Sequence, residues 1–353
     1  VEIKTALTFD DVLLQPQYSD IASRADVDTS STSKCGKFKL DLPIISANMD
    51  TIFSPDLAHW LNTYGAAASM HRFMTPQENV KIFQKCPENT IASIGFNDEI
   101  RLEFLVEAGV KTIVVDVAHG HCKQMGKTLQ FVKSFYPHLT VIAGNVASAD
   151  GAKFLVDSGA DIVKIGIGSG AACSTRSKTG HGYPQLEAIF ECSSAVPNNS
   201  CVADGGLKKP ADIVKAFAAG CDYVMVGSML SGTYHTPGEV RGLDEQKLRD
   251  LKDYDNLHPN CLPLHKIYRG MASAEVYQDH GKGGSQKTAE GISTMVPYKD
   301  KAASDAIMQD IIGGLRSGLS YSGARNIREL QNKAKWVKIT AAGREENKTL
   351  LDK

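Results

Sequence analysis

DIVKIGIGSGAACSTRSKTGHGYPQ, residues 161–185, reads as a strand, a glycine loop and the start of a helix. Asp161–Ile167 has the β-branched character of a buried strand, and Gly166, Gly168 and Gly170 then admit backbone angles that residues with a Cβ avoid. Such a loop can turn its carbonyls toward a cation or its N–H groups toward an anion. Cys173 sits on it beside Ser174, Thr175 and Arg176, and a nearby cation favours thiolate. A nucleophile is therefore the sharper reading and a buried structural thiol the competing one.

Outward from this stretch the same alternation recurs. Apolar, β-rich runs lie at Pro43–Met49, Ala66–His71, Thr90–Gly95, Thr112–Val117, Leu139–Asn145, Asp161–Gly168, Cys201–Gly206 and Asp222–Ser228. Helix-period segments separate most of them, among them Glu99–Ala108, Gln124–Ser134, Ala147–Ser158, Gln185–Cys192 and Pro210–Ala219. Several close in a glycine at the expected C-cap: Gly109, Gly159 and Gly220. Alternating strands and helices specify an α/β fold with a parallel sheet and right-handed crossovers, and eight units specify a closed (β/α)8 TIM barrel. No G-x-G-x-x-G follows the first strand, as a Rossmann unit would require. The 353 residues fit one barrel domain over 1–353 with insertions.

Composition narrows the function. Lys and Arg total 39 against 40 Asp and Glu, so no basic surplus points to nucleic acid. The eight cysteines, Cys35, Cys86, Cys122, Cys173, Cys192, Cys201, Cys221 and Cys261, stand singly, without C-x-x-C or zinc-like spacing. Reduced thiols in a cytoplasmic setting are the expectation. The opening VEIKTALTFDDVLLQPQYSD shows no signal-peptide pattern, and no apolar run approaches membrane-spanning length, so a soluble, untargeted chain without a membrane partner is expected. Within that opening, Thr8–Leu14 reads as a short extended arm.

Barrel sites lie at the C-terminal ends of the strands. That rule gathers Asn48 and Asp50, His71 and Arg72, Asp116 and His119, Asn145, the Cys173 loop, Asp204 and Gly227–Ser228 at one mouth. ADGG at 203–206 and VGS at 226–228 offer bare backbone N–H groups where barrels commonly hold phosphate, and Asp204 suits ribose hydroxyls. A phosphorylated nucleoside is a natural candidate for the ligand. Lys164 lies within a strand rather than at its end, which argues against a lysine-dependent barrel aldolase.

Beyond the eighth strand, residues 237–266 read as a polar, solvated insertion around the helical run EQKLRDLKDYD. Residues 271–291 read as a mobile flap, glycine- and lysine-rich over DHGKGGSQKTAEG, with Glu290 able to close over the cysteine. Ala303–Leu319 is an amphipathic helix, and KWVKITAAGREENKTLLDK a strand plus a polar terminus.

The motifs TFDDVLLQP, ANMDT, DVAHG, AGNV, GIGSGAACSTR, GYPQL, ADGG, GSML, YRGMAS, AEG and GGLRSGLSYSGA follow one another in order. On them the chain resembles the inosine monophosphate dehydrogenase and guanosine monophosphate reductase superfamily over essentially its whole length. Three features are similar to the reductase branch. His71–Thr90 leaves no room for regulatory CBS modules, Lys-Thr-Gly and Tyr-Pro-Gln follow the cysteine loop, and no Arg-Tyr dipeptide of the kind dehydrogenases use to activate water lies between Met271 and Glu290. VPYK at 296–299 and KITAAGREEN instead resemble bacterial dehydrogenases, and Ala171 stands where both branches commonly carry Ser.

The resemblance implies NADPH-dependent reductive deamination of GMP to IMP with release of ammonia, through a covalent adduct on Cys173 and a proton relayed by Thr175 from Glu290. It implies substrate contacts at Asp204, Gly205, Gly206, Gly227, Ser228, Gly270, Met271, Ala272 and Gly291. Cofactor contacts are implied at Arg72, Asp116, Val117, Ala118 and Lys287, and at Ser317, Gly318, Leu319 and Ser320 of a neighbouring subunit. A potassium ion on Gly168, Gly170, Cys173 and Arg176 and a homotetramer complete the expectation. A compact IMP dehydrogenase making XMP, and a catalytically silent nucleotide-binding homologue, are the other readings.

Overall fold

The computed structural model describes residues 3–242, 263–279 and 289–347. Eight parallel strands form one sheet: β1 Ile44–Ser46, β2 Ala68–Met70, β3 Thr90–Ile94, β4 Thr112–Asp116, β5 Thr140–Val146, β6 Ile162–Ile165, β7 Ser200–Asp204 and β8 Tyr223–Val226. β8 pairs with β1, Val224 opposite Ile44, and β1 meets β2 at the Ile45–Ala67 bridge, so the sheet closes into the expected barrel. Each strand overlaps the apolar run assigned to it. The ends of the runs that overshoot the strands, such as Gly205–Gly206 and Gly227–Ser228, are loops of the barrel mouth.

Eight helices complete the units: α1 Pro55–Asn62, α2 Pro76–Phe83, α3 Glu99–Glu107, α4 Lys123–Phe135, α5 Ala149–Asp157, α6 Gln185–Ala195, α7 Pro210–Ala218 and α8 Lys301–Tyr321. Ser54, Thr75, Ser148 and Asp300 start four of them, each side chain accepting a hydrogen bond from an N–H of the first turn. Gly109, Gly159 and Gly220 follow helices with φ of 93°, 113° and 115°, where a Cβ is strained. Residues 71–89 hold α2 and its connections, so no module interrupts the barrel there.

Alternation along the strands divides the core in two. Ile45, Ile91, Val114, Ile142, Ile162, Val202 and Met225 point inward and fill the barrel. Their neighbours Ile44, Ile113, Val115, Val141, Val163 and Val224 pack outward against helix residues such as Leu129, Ile189 and Phe217. Burial on both faces is why these strands read as unbroken apolar runs. Phe38 and Leu40, from a short hairpin, close the floor, where the Tyr223 hydroxyl donates to the Phe38 carbonyl at 2.7 Å.

The periphery differs from expectation in three places. The N-terminal arm is not extended throughout: Thr8 N donates to Asp11 Oδ2 at 2.8 Å, and Phe9–Asp11 forms a 3-10 turn before Val12–Leu14 pairs antiparallel with Trp336–Lys338. The 237–266 insertion is not solvated at its end. Leu264–Arg269 is the central strand of a small sheet with Arg241–Gly242 and Ser293–Pro297, and His265 and Lys266 are buried. The Lys266 ammonium donates to the carbonyls of Thr233, Tyr234 and Thr236 at 3.0, 3.2 and 2.6 Å, which compensates its burial. The run EQKLRDLKDYD lies outside the described residues. Ala341–Glu345, expected as plain polar tail, is a short helix capped by Thr340. Among the described residues no helix is long and apolar enough to cross a membrane.

Phe217 of α7 is fully buried. Phe217→Ala is expected to lower the unfolding free energy by about 3–5 kcal/mol in urea melts.

Candidate active site

The cysteine loop leaves β6 across the end of β7. A Cβ on Gly166, whose φ is 147°, would lie 2.1 Å from the Asp204 carbonyl oxygen, so only glycine allows that crossing. The loop continues to a five-residue helical turn, Thr175–Thr179, with Cys173 exposed just before it. Cys173 Sγ lies 3.2 Å from Thr175 Oγ1, which in turn donates to Glu290 Oε2 at 2.8 Å. Thiol, hydroxyl and carboxylate thus form one continuous hydrogen-bonded path.

Main-chain bonds fix the spacing of that path. Ser174 N donates to Glu290 O at 2.7 Å, Glu290 N to Ala272 O at 3.0 Å, and Ile292 N to Ala172 O at 3.0 Å. Gly291 and Gly270 permit the close approach: a Cβ on Gly291 would lie 3.0 Å from Ser273 N, and one on Gly270 2.8 Å from the Ala172 carbonyl. The end of the expected flap is therefore stitched to the cysteine loop, and its start, Ala274–Asp279, is helical. Residues 280–288, Lys287 among them, lie outside the described residues.

The turn after β7 places Gly205 and Gly206 at φ of 87° and 78°. Ser169 Oγ donates to Asp204 O at 3.0 Å and ties the cysteine loop to this turn. Gly227, after β8, has Met49 and the Tyr268 hydroxyl against it: a Cβ there would lie 3.4 Å from Met49 Sδ and 3.2 Å from Tyr268 Oη. Burial, with the Asp204 charge, pushes the Tyr268 hydroxyl up to about 12, so it remains a proton donor. Met271 faces the loop after β1, its sulfur accepting from Asp50 N at 3.2 Å.

Beneath the mouth lies a buried charge cluster. The Lys164 ammonium, on β6, donates to Asp116 Oδ1 of β4 at 2.8 Å and to Asp204 Oδ2 of β7 at 2.7 Å. Asn145 Nδ2 of β5 donates a hydrogen bond to the same Asp204 oxygen at 2.9 Å. Burial alone would lower the Lys164 pKa, but the two carboxylates outweigh it and hold it raised. Burial would likewise raise Asp116, and the Lys164 charge reverses this and holds it low.

Beside Thr175 and Glu290 opens a cavity of about 450 Å³, lined also by Ala118, His119, His121, Ser148, His181 and Tyr183. Ala118, two residues beyond the end of β4 at Asp116, is part of its wall. Arg72 packs its guanidinium on the Phe73 ring, 4.8 Å from the centroid, and against Gly95. Its Nε is buried without a hydrogen-bond partner among the described residues. Ser317, Gly318, Leu319 and Ser320 lie elsewhere, on α8 outside the barrel. Gly318 packs on Val214, Leu319 is fully buried, and Ser317 Oγ accepts from Arg24 at 3.0 Å, so only the two serines present side chains outward.

The four positions named for potassium share the cysteine loop. Gly170 O accepts from Cys173 N at 3.0 Å and Arg176 O from Gly180 N at 3.1 Å, each keeping a second lone pair. The Arg176 guanidinium cannot ligate a cation; it crosses Gly168 and Gly182 and donates to Tyr183 O at 2.6 Å. No cluster of three or more His, Cys, Asp or Glu suited to a metal occurs among the described residues.

Sequence reading missed two participants. Lys164, whose place inside a strand argues against a lysine base, bridges two carboxylates at the mouth; a lone charge in DIVKIGI is the available signal. Tyr268 gave none beyond its place in YRGMAS, because its neighbour Gly227 is distant in sequence.

A closed barrel whose mouth joins a thiol, a hydroxyl and a carboxylate beside glycine turns has the architecture of a TIM-barrel enzyme site. Residues 6–349 match the IMP dehydrogenase / GMP reductase domain, and the chain belongs to that family of oxidoreductases. GMP reductase 1 of Homo sapiens is 34% identical over 354 residues, covering 96% of this chain and 97% of that protein. The inosine-5'-monophosphate dehydrogenase of Aquifex aeolicus is 44% identical over 267 residues, 72% of this chain, and the chain spans about half of its length, 51%. Among solved structures, an inosine 5'-monophosphate dehydrogenase from Legionella pneumophila superposes with a TM-score of 0.83 at 47% identity, covering 96% of this chain and 100% of that one. A GMP reductase variant from Trypanosoma brucei, in complex with guanosine 5'-monophosphate, gives 0.88 at 26% identity, covering 99% and 98%.

The charge cluster has a defined pH response. Asp116, held low, contributes stability above about pH 4 that is lost as pH falls through its lowered value; Lys164, held high, contributes stability below about pH 10 that is lost only as pH rises through its raised value. Their contribution is therefore level from about pH 5 to 9. Lys164→Met strands two carboxylates and is expected to cost about 3–5 kcal/mol at pH 7. In urea unfolding across pH, that deficit narrows on acidification as the stranded carboxylates take up protons.

Proposed function

We propose that the protein reduces GMP to IMP with NADPH, releasing ammonia. The observation that carries the reading is the Cys173–Thr175–Glu290 path. Ammonia is a poor leaving group unless protonated, so a proton donor must stand beside the nucleophile. In this reading the Cys173 proton moves through Thr175 to Glu290, the resulting thiolate forms a bond to purine C2, and the exocyclic amine departs with that proton returned along the same path. When bound, NADPH would supply a hydride, and Cys173 would leave C2 as the thiolate. Gly205, Gly206, Gly227 and Ser228 hold the phosphate, Asp204 the ribose, and Gly270, Met271, Ala272 and Gly291 the base. Asp116, Val117 and Ala118 face the cofactor, with Arg72 on its additional phosphate.

Likeness to the human and trypanosomal reductases over nearly the full chain supports this, as does the lack of an Arg-Tyr dipeptide between Met271 and Glu290. A second reading, a compact IMP dehydrogenase, is favoured by the higher identities of 44% and 47% to dehydrogenases. Potassium on the Gly168, Gly170, Cys173 and Arg176 carbonyls, a cytoplasmic homotetramer, and cofactor contacts from Lys287 and a neighbour's Ser317–Ser320 belong to the first reading.

Absorbance at the NADPH band decides between them. GMP is expected to consume NADPH and release ammonia, and Cys173→Ala to abolish both; NADH formed from IMP and NAD+ instead would establish the dehydrogenase. Thr175→Val and Glu290→Gln are each expected to slow GMP turnover by about 10²–10⁴-fold while leaving GMP binding near wild type.

A further inference from the structure

The loop after β1, Ala47–Thr51, touches both ends of the mouth. Met49 lies against Gly227 of the phosphate turn, and Asp50 N donates to Met271 Sδ of the base turn. Its strongest contact is ionic. Asp50 Oδ2 receives both Nε and Nη2 of Arg269 at 3.0 and 2.6 Å, and Arg269 N donates to Thr51 Oγ1 at 3.2 Å. The two side chains are 10% and 18% exposed, so the pair is largely shielded from water. The remaining arm of the guanidinium, Nη1, reaches Asp279 Oδ2 at 2.7 Å, at the end of the Ala274–Asp279 helix.

We infer that Asp50 and Arg269 are positioning residues for the purine, holding the Gly270–Ala272 turn at a set distance from the phosphate turn. The inference rests on the nucleotide-binding mouth of the proposed function and not on which reaction occurs there. Arg269 immediately precedes Gly270, and its side chain points away from the turn into the β1 loop. Main-chain bonds tie the turn to residues 290–292, but no side chain within it offers a comparable anchor to the β1 loop: Gly270 has none, and the Met271 sulfur is a weak acceptor. The planar guanidinium spans two carboxylates at once, from the barrel wall to the start of the flap; an ammonium is a single point charge and cannot span both in this geometry. Loosening the pair would leave phosphate and ribose contacts in place and let the base edge drift relative to Cys173.

Calorimetric titration of the whole chain with GMP, IMP and ribose 5-phosphate tests this, because the last carries phosphate and sugar but no purine. Asp50→Asn and Arg269→Gln are expected to weaken GMP and IMP about tenfold and ribose 5-phosphate less than about twofold. Arg269→Lys, which keeps the charge, should fall between wild type and Arg269→Gln and carries the test if the latter does not fold. Equal weakening of all three ligands, or unchanged binding of GMP and IMP, overturns the inference. Since binding is read and not turnover, a failure of the reductase reading leaves this result independent.

Discussion

One ammonium, that of Lys164, stands where the barrel stops being an apolar core and becomes a polar site. Below it the inward layer is Ile142, Ile162 and Val202. At its own level four neighbouring strands, β4 to β7, contribute Asp116, Asn145, Lys164 and Asp204, one residue each. A buried cation without partners would be expelled or neutralised, so the carboxylates are as necessary to the lysine as it is to them. The same bonds fix the carboxylates of Asp204 and Asp116 at the barrel mouth, and a packing requirement thereby sets the direction of two acidic side chains.

Above this layer, backbone pairing more than side-chain reach sets the distances. Cys173 and Glu290 are far apart in sequence, yet the bonds of Ser174, Glu290 and Ile292 hold their segments side by side as in a short antiparallel ladder. Thr175 then has only a hydroxyl's length to bridge. Glycines at 166, 270 and 291 are needed because these segments cross with no room for a methyl group.

The barrel was legible in the sequence because parallel strands buried on both faces leave long apolar runs, and because glycine ends the helices in between. Cys173 and the glycine turns were legible because a loop that must bend so sharply has few residues to choose from. What stayed hidden was pairing across distance. DIVKIGI announces a charged residue in a strand but not its two partners, and YRGMAS does not say that its arginine will meet the aspartate of ANMDT. Local propensity also misled at Thr8–Leu14, where a competing side-chain bond from Asp11 turns the chain before it extends.

The strand pair that joins Val12–Leu14 to Trp336–Lys338 has a consequence for the order of assembly. Its two halves lie far apart in sequence, and closing so long a loop early would cost entropy that three paired residues cannot repay. The barrel therefore has to form first and bring the two strands within reach. A contact made after the rate-limiting step adds little to the speed of folding and acts almost wholly as a brake on unfolding. This short seam works as a latch on a barrel that is already closed.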